Sequence, residues 1–170
     1  IYGKALGNGY PVAAVAGKAR FMDASAPGPG SPSFVGTFNG HAVCLAAAEA
    51  SLGVLEDGGV TAALQVRTDE LIHAFAASAL RHGVEAQMQG GGGHIHWYFT
   101  PEPVRDYRQA ARGSRARYVA FAEQLTAAGF LVSPNYLLHH AISLAHGPVE
   151  MEELVRAMDL GLAAASEVAL

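Results

Sequence analysis

The sequence predicts an α/β protein. Its second half alternates runs of aromatic and β-branched residues with segments of helical period, and glycine and proline punctuate the joins. A chain of 170 residues, 51% of them hydrophobic and 15% charged, carries enough apolar material to bury a core. The expected organisation is a loop-rich segment and two helices, followed by a compact α/β domain of roughly a hundred residues.

Residues 1–40 are dense in glycine and proline. Gly3, Gly7, Gly9 and Pro11 lie close together, and Ala26-Pro27-Gly28-Pro29-Gly30 forms a second punctuated stretch, so loops are expected, with one short buried strand at Val12–Val15. From Ala42 to Asp57 the chain is apolar and alanine-rich, with Leu45, Leu52 and Leu55 set among small residues. Gly58-Gly59 stops it, and a buried helix is predicted. Between Val60 and His82, Leu64, Leu71, Phe75 and Ala79 recur at helical spacing while Arg67, Asp69, Glu70 and Arg81 stay polar, and Gly83 suits a left-handed C-terminal cap.

Two strands are expected next, at Val84–Met88 and His94–Phe99, joined by a flexible connection through Gly90–Gly93. Ser114 is placed to cap a helix bearing Tyr118, Phe121, Leu125 and Ala128 on one face, which Gly129 ends. Phe130–Val132 and Ala141–Ala145 read as short strands. Pro148 opens a last helix whose early Glu150, Glu152 and Glu153 suit its positive end, with Met151, Leu154, Val155, Met158 and Leu162 in one stripe.

Charge and cysteine usage exclude several function classes. Eleven basic residues against fifteen acidic ones give a net charge of -4, which provides no general field for nucleic acid or an anionic membrane. Arg105, Arg108, Arg112, Arg115 and Arg117 make a local basic patch without the interleaved aromatics of a single-strand binder, and read as a solvated face or an interface. The single cysteine, Cys44, has no partner for an internal disulfide, and no apolar run reaches the roughly 18–20 residues that span a bilayer, so a soluble, cytoplasmic protein is expected. His94 and His96 share a strand face and could be joined by His139, His140 or His146, but no carboxylate or cysteine accompanies them at ligand spacing. Hydrogen-bonded histidines and no metal are expected. Gly90–Gly93 lacks the following Lys-Ser or Lys-Thr of a phosphate loop.

Lys4 stands apart. It lies between Gly3 and Ala5-Leu6-Gly7-Asn8-Gly9-Tyr10-Pro11, where few charges and an adjacent apolar run would desolvate its amine and favour Schiff-base formation with an aldehyde. Tyr2-Gly3-Lys4-Ala5-Leu6-Gly7-Asn8-Gly9-Tyr10-Pro11-Val12-Ala13-Ala14-Val15-Ala16-Gly17-Lys18, followed by Phe21-Met22-Asp23, resembles the lysine segment of the class III pyridoxal-phosphate aminotransferases. Gly36-Thr37-Phe38-Asn39-Gly40-His41-Ala42 resembles that family's downstream Gly-Thr-x-Ser-Gly-Asn-Pro block. Residues 99–107 and 133–146 resemble the C-terminal domain of its glutamate-1-semialdehyde aminomutase branch.

The resemblance implies a fold-type I pyridoxal-phosphate-dependent transferase, with residues 1–57 as the tail of the large coenzyme-binding domain and 58–170 as the small C-terminal α/β domain. It implies pyridoxal 5'-phosphate as cofactor, held covalently by Lys4, whose amine then shuttles the substrate proton, with Gly36 and Thr37 contacting the phosphate of the partner copy in a homodimer with shared active sites. The substrate implied is a small amino donor or amino acid. Two departures stand out: Asn39-Gly40-His41-Ala42 replaces the Ser-Gly-Asn-Pro pattern, and Leu138 occupies the place of an acidic residue in the aminomutase branch, which leaves mutase and plain amino transfer both open. The family's phosphate loop, ring-stacking aromatic and ring-nitrogen aspartate lie upstream of the lysine, and three residues precede Lys4. A C-terminal fragment, close to inactive alone, is therefore expected, with a non-catalytic remnant serving dimerisation or packing as the alternative.

Overall fold

The computed structural model describes residues 1–25, 28–31 and 36–169. Ala26 and Pro27 of the second punctuated stretch lie outside the described residues. Two compact units divide the chain, Ile1–Gly58 and Gly59–Leu170.

The first unit holds a single 3-10 turn at Lys4–Leu6, the short helix α1 (Ala19–Met22) with a 3-10 turn at Asp23–Ser25, and α2 (Ala42–Leu55). The strand expected at Val12–Val15 does not form. Pro11 donates nothing, and the pairing is a lone bridge in which Tyr2 and Ala14 exchange N–H···O bonds of 2.8 and 2.7 Å. The buried helix is also corrected: α2 forms, but only Cys44 and Ala48 are buried on it, while Leu45 is 51% and Val54 66% exposed. Its apolar residues run all round the axis, so no single face of the unit can cover them.

In the second unit α3 (Gly59–His82) leads into a three-stranded antiparallel sheet of β1 (Gln87–Gly91), β2 (His94–Tyr98) and β3 (His140–Ala141), in that spatial order. The helices α4 (Tyr107–Ala110), α5 (Arg115–Ala127) and α6 (Pro148–Ser166) complete it; α5 packs on α6, and α3 on both α6 and β1. Gly83 ends α3 at φ +63, with Val84 N–H reaching Ala79 O (2.9 Å) and Gly83 N–H reaching Leu80 O (3.2 Å). Gly129 ends α5 by the same pair of bonds, from Phe130 to Leu125 and from Gly129 to Thr126. Both are Schellman caps, which return the chain toward the core. Ser114 caps α5 through the Arg117 N–H (3.3 Å), and Asp106 caps the unanticipated α4 through the Gln109 N–H (2.9 Å).

Gly90–Gly93 is more ordered than a flexible connection. Gly90 and Gly91 belong to β1, where a side chain at Gly90 would strike the His94 carbonyl, and Gly92 (φ +58) with Gly93 (φ +92) forms the two-residue hairpin turn that needs positive φ twice. Its tip is tied to α3: Gly92 N–H donates to Gln65 Oε1 (2.9 Å), and Gly93 N–H to the buried Thr68 Oγ1 (3.0 Å). Phe130–Val132 is not a strand, and the strand expected at Ala141–Ala145 shrinks to His140–Ala141. Backbone donors there go elsewhere: Phe130 N–H closes the α5 cap, and Ser133 N–H is taken by His140 Nε2 (2.8 Å).

The core of this unit centres on Phe121, in ring contact with Phe75 (5.9 Å), Trp97 (5.2 Å) and Phe99 (5.5 Å), and walled by Leu71, Leu125, Met158 and Leu162.

Candidate functional site

Lys4 sits at the start of a chain of tight turns. Leu6 N–H bonds to Gly3 O, Gly7 N–H to Lys4 O and Asn8 N–H to Ala5 O, each at 3.2 Å, and Tyr10 N–H bonds to Gly7 O at 3.0 Å. Gly7 is buried, and a Cβ there would meet the Tyr10 carbonyl and lie 2.5 Å from Val12 Cγ1, so only glycine closes this turn. Among the described residues, Lys4 (φ +51) and Asn8 (φ +44) are the non-glycine residues in the left-handed region. Asparagine tolerates that region; a lysine there stores strain, and such strain collects where a side chain must be aimed.

The Lys4 side chain is exposed, so the desolvation expected from its sequence setting is not supplied within this unit. Gly36 and Thr37 are exposed as well, at the head of a turn through Gly40 (φ +73) that feeds α2. Asn39 N–H donates to Gly36 O (3.0 Å), His41 N–H to Phe38 O (3.1 Å), and a Cβ on Gly36 would lie 2.8 Å from Asn39 Oδ1. The nearby groove, about 510 Å³ and lined by Val12, Met22, Phe38, His41 and Cys44 among others, includes none of Lys4, Gly36 and Thr37. The three residues singled out are thus on two separate turns of one unit, and no described cavity gathers them.

His96, His140 and His146 each use a ring nitrogen on backbone, while His82 Nε2 meets Asp159 Oδ1. His96 Nε2–H donates to Tyr136 O (2.9 Å), and its ring stacks on Tyr98 at 4.1 Å. Burial holds the His96 pKa below its ordinary value, outweighing the Tyr136 bond. His140 is pushed down to about 4 by burial first and by His96 and His139 next, while burial lifts the Tyr118 hydroxyl, which donates to Ser133 O (2.6 Å), to about 12. No group of three metal-ligating side chains occurs among the described residues. Arg105, Arg108, Arg112 and Arg115 are exposed, with Arg117 half-buried. No described helix is long and apolar enough to cross a membrane.

Comparison with known proteins supplies the context for these turns. No protein-family model matches the chain. Over 165 residues, 97% of its length, the chain is 33% identical to a glutamate-1-semialdehyde 2,1-aminomutase of Pelotomaculum thermopropionicum, and over 166 residues 29% identical to that of Natranaerobius thermophilus. It spans 38% of the length of each. Among solved structures, an omega-transaminase from Sphaerobacter thermophilus superposes with a TM-score of 0.77 at 26% identity, over 94% of this chain and 37% of that one. A β-phenylalanine aminotransferase from Variovorax paradoxus gives 0.69 at 26% identity, over 84% and 33%. The fold is also that of a transaminase solved with pyridoxal phosphate bound, at a TM-score of 0.76 and 22% identity.

Proposed function

We propose that this chain, a relative of the glutamate-1-semialdehyde 2,1-aminomutases with the fold of the pyridoxal-phosphate transaminases, carries the lysine of an amino-group-transferring enzyme and the small domain that accompanies it. Residues 1–57 are read as the tail of the large domain and 58–170 as the small one. The observation that carries this reading is Lys4: an exposed primary amine on a strained left-handed backbone, directly after Gly3, in a turn that tolerates no side chain at Gly7.

The donor set fits pyridoxal 5'-phosphate. Lys4 Nζ is the nucleophile that would hold the aldehyde, and the Thr37 hydroxyl with the Gly36 and Thr37 backbone N–H groups, at the turn before the α2 N-terminus, would hold the phosphate of the copy across a homodimer interface. When bound, the coenzyme supplies an electron sink for charge at the substrate carbon. Lys4 Nζ, once free, would take the proton from that carbon and pass it on to the coenzyme, one amine serving as nucleophile and then as general base. The substrate class is a small amino donor or amino acid. With the exposed Leu138 where the aminomutase branch has an acidic residue, plain amino transfer is as well served as the mutase reaction.

The test is reductive trapping. The full-length protein mixed with pyridoxal phosphate and borohydride should give a stable pyridoxyl adduct that peptide mapping places on Lys4, and Lys4→Arg should lose it while Lys18→Arg keeps it. An adduct spread evenly over Lys4, Lys18 and the N-terminus would sink the assignment. A second reading, a packing module without catalysis, has one observation in its favour, the exposed apolar residues of α2.

A further inference from the structure

Two histidines of the second unit face each other on the open side of the sheet. Ile95 and Trp97 of β2 turn into the core, so the alternate positions His94, His96 and Tyr98 line the opposite side of the strand. Ile95 pairs with His140 and His94 with Ala141, and the His140 ring turns inward onto Trp97 (4.8 Å between ring centres), which brings the preceding His139 to the His94 side. The His94 and His139 rings lie 5.2 Å apart, centre to centre, at 54°. Both residues are exposed. His82, His96, His140 and His146 spend a ring nitrogen on Asp159, the Tyr136 carbonyl, the Ser133 N–H and the Ser143 N–H, whereas neither His94 nor His139 has a ring hydrogen bond among the described residues.

A free imidazole lone pair is a ligand for late first-row divalent metal ions. Zinc bonds histidine nitrogen at about 2.0–2.1 Å, which puts the ion about 3.2 Å from the ring centre, and two rings on one tetrahedral ion then have centres about 5.2 Å apart. The observed separation matches this value, so both rings reach a shared ion by turning about their own side-chain bonds, with the backbone left where it is. The pairing of β2 with β3 fixes the two backbones before an ion arrives, and exposure leaves room for the water that completes its coordination. His96 stays committed to the Tyr136 carbonyl and to its stack on Tyr98, so the pair stands as two ligands.

We propose that His94 and His139 together form an open two-histidine site for a late first-row divalent metal ion, with water in the remaining positions. The pair belongs to the second unit, and the proposal does not rest on the coenzyme reading.

Zinc is the probe. Isothermal titration of the untagged full-length protein with Zn2+ at about pH 7.5, above the ordinary range of histidine titration, should find a site that His94→Asn and His139→Asn each weaken by about tenfold or more. Either loss ends the chelate, so the double variant should bind within about twofold of the weaker single one. His73→Asn, at an exposed histidine of α3, should leave the affinity unchanged. In the unaltered protein, saturating Zn2+ should slow diethylpyrocarbonate modification of His94 and His139 severalfold and leave His73 as reactive as before, which decides the matter even where a variant fails to fold. No zinc uptake by the parent, equal affinity in parent and variants, dependence on one of the two histidines alone, or the same modification of both with and without zinc would each overturn the proposal.

Discussion

Gly161 lies inside α6, where replacement by alanine would ordinarily help, since glycine costs a helix interior about 1 kcal/mol relative to alanine. Here the added methyl has nowhere to go. Its carbon would sit 2.6 Å from Phe121 Cδ2, 3.0 Å from the Phe121 carbonyl oxygen and 3.1 Å from Leu125 Cδ1. Carbon contacts are comfortable at about 3.5–4.0 Å, so α5 and α6 must part by close to 1 Å or the Phe121 ring must turn. Neither is easy, because Phe121 is fully buried among aromatic neighbours and its carbonyl is backbone. Overpacking a core costs about 1–3 kcal/mol, and the upper part of that range applies. Setting the propensity gain against it leaves Gly161→Ala about 1–2 kcal/mol less stable, or about 4–8 °C in midpoint. Gly53 in α2 is the control: a methyl there meets nothing within 4 Å, so Gly53→Ala should slow amide exchange in its own helix. Urea denaturation and hydrogen exchange by mass spectrometry read both. A Gly161→Ala protein as stable as the parent would refute the close helix crossing.

Thr68→Val keeps shape but strips the acceptor from the buried Gly93 N–H, and should cost about 1–3 kcal/mol in urea denaturation, whereas Gln65→Leu at the exposed Gly92 bond should stay within about 0.5 kcal/mol. The Asp159 carboxyl is held down to about 2 by the Ser78 hydroxyl first and then by Arg81 and His82. A depressed carboxylate contributes stability that is present above the unfolded value of 3.8 and lost as pH falls through about 2, so the deficit of Asp159→Asn should be constant above about pH 5 and close at lower pH. His140 has the opposite charge logic and the same direction. With its folded value near 4 against 6.5 unfolded, the unfolded chain takes up a proton first, and stability should fall as pH drops from 6.5 to 4, by at most about 1.4 kcal/mol per pH unit. His140→Phe should lose that part of the pH slope in urea titrations, and an unchanged slope would count against a neutral, buried ring.

The second unit was legible wherever a local rule and the packing agreed. The long helix to His82, the glycine stops at Gly83 and Gly129, the Ser114 cap and the Pro148 start all follow from chemistry confined to one turn of chain, and that chemistry is what the structure uses. Strand readings failed where they needed a neighbour. Val12–Val15 has, among the described residues, only Tyr2 to pair with, while Phe130 gives its N–H to the α5 cap and Ser133, just past the expected strand, gives its N–H to the His140 ring. At the candidate site the sequence marked Lys4, Gly36 and Thr37 through resemblance, but not the left-handed backbone at Lys4, a conformation in which lysine is uncommon and which no local rule signals. The ring contact between Trp97 and His140 was equally invisible. Residues 97 and 140 meet only through β2 and β3, and no spacing rule connects them.

The two units also differ in how their sequences match their surroundings. In α6, Leu154, Ala157, Met158, Gly161, Leu162 and Ala165 form one buried stripe, while Val149, Val155 and Leu160 are left exposed among polar and small residues, so helix and packing largely explain each other. In α2 the sequence is that of a helix hydrophobic on every side, yet Val43, Leu45, Leu52 and Val54 face water. Leaving four such side chains half exposed or more forgoes part of the about 1.5–3 kcal/mol that full burial of each would contribute. Val43 and Val54 lie on one side of the helix and Leu45 and Leu52 on the other, so covering them takes more than one neighbouring surface. The Lys4 turn shares the unit with this helix, and among the described residues of this unit nothing desolvates the lysine and nothing covers these positions of α2.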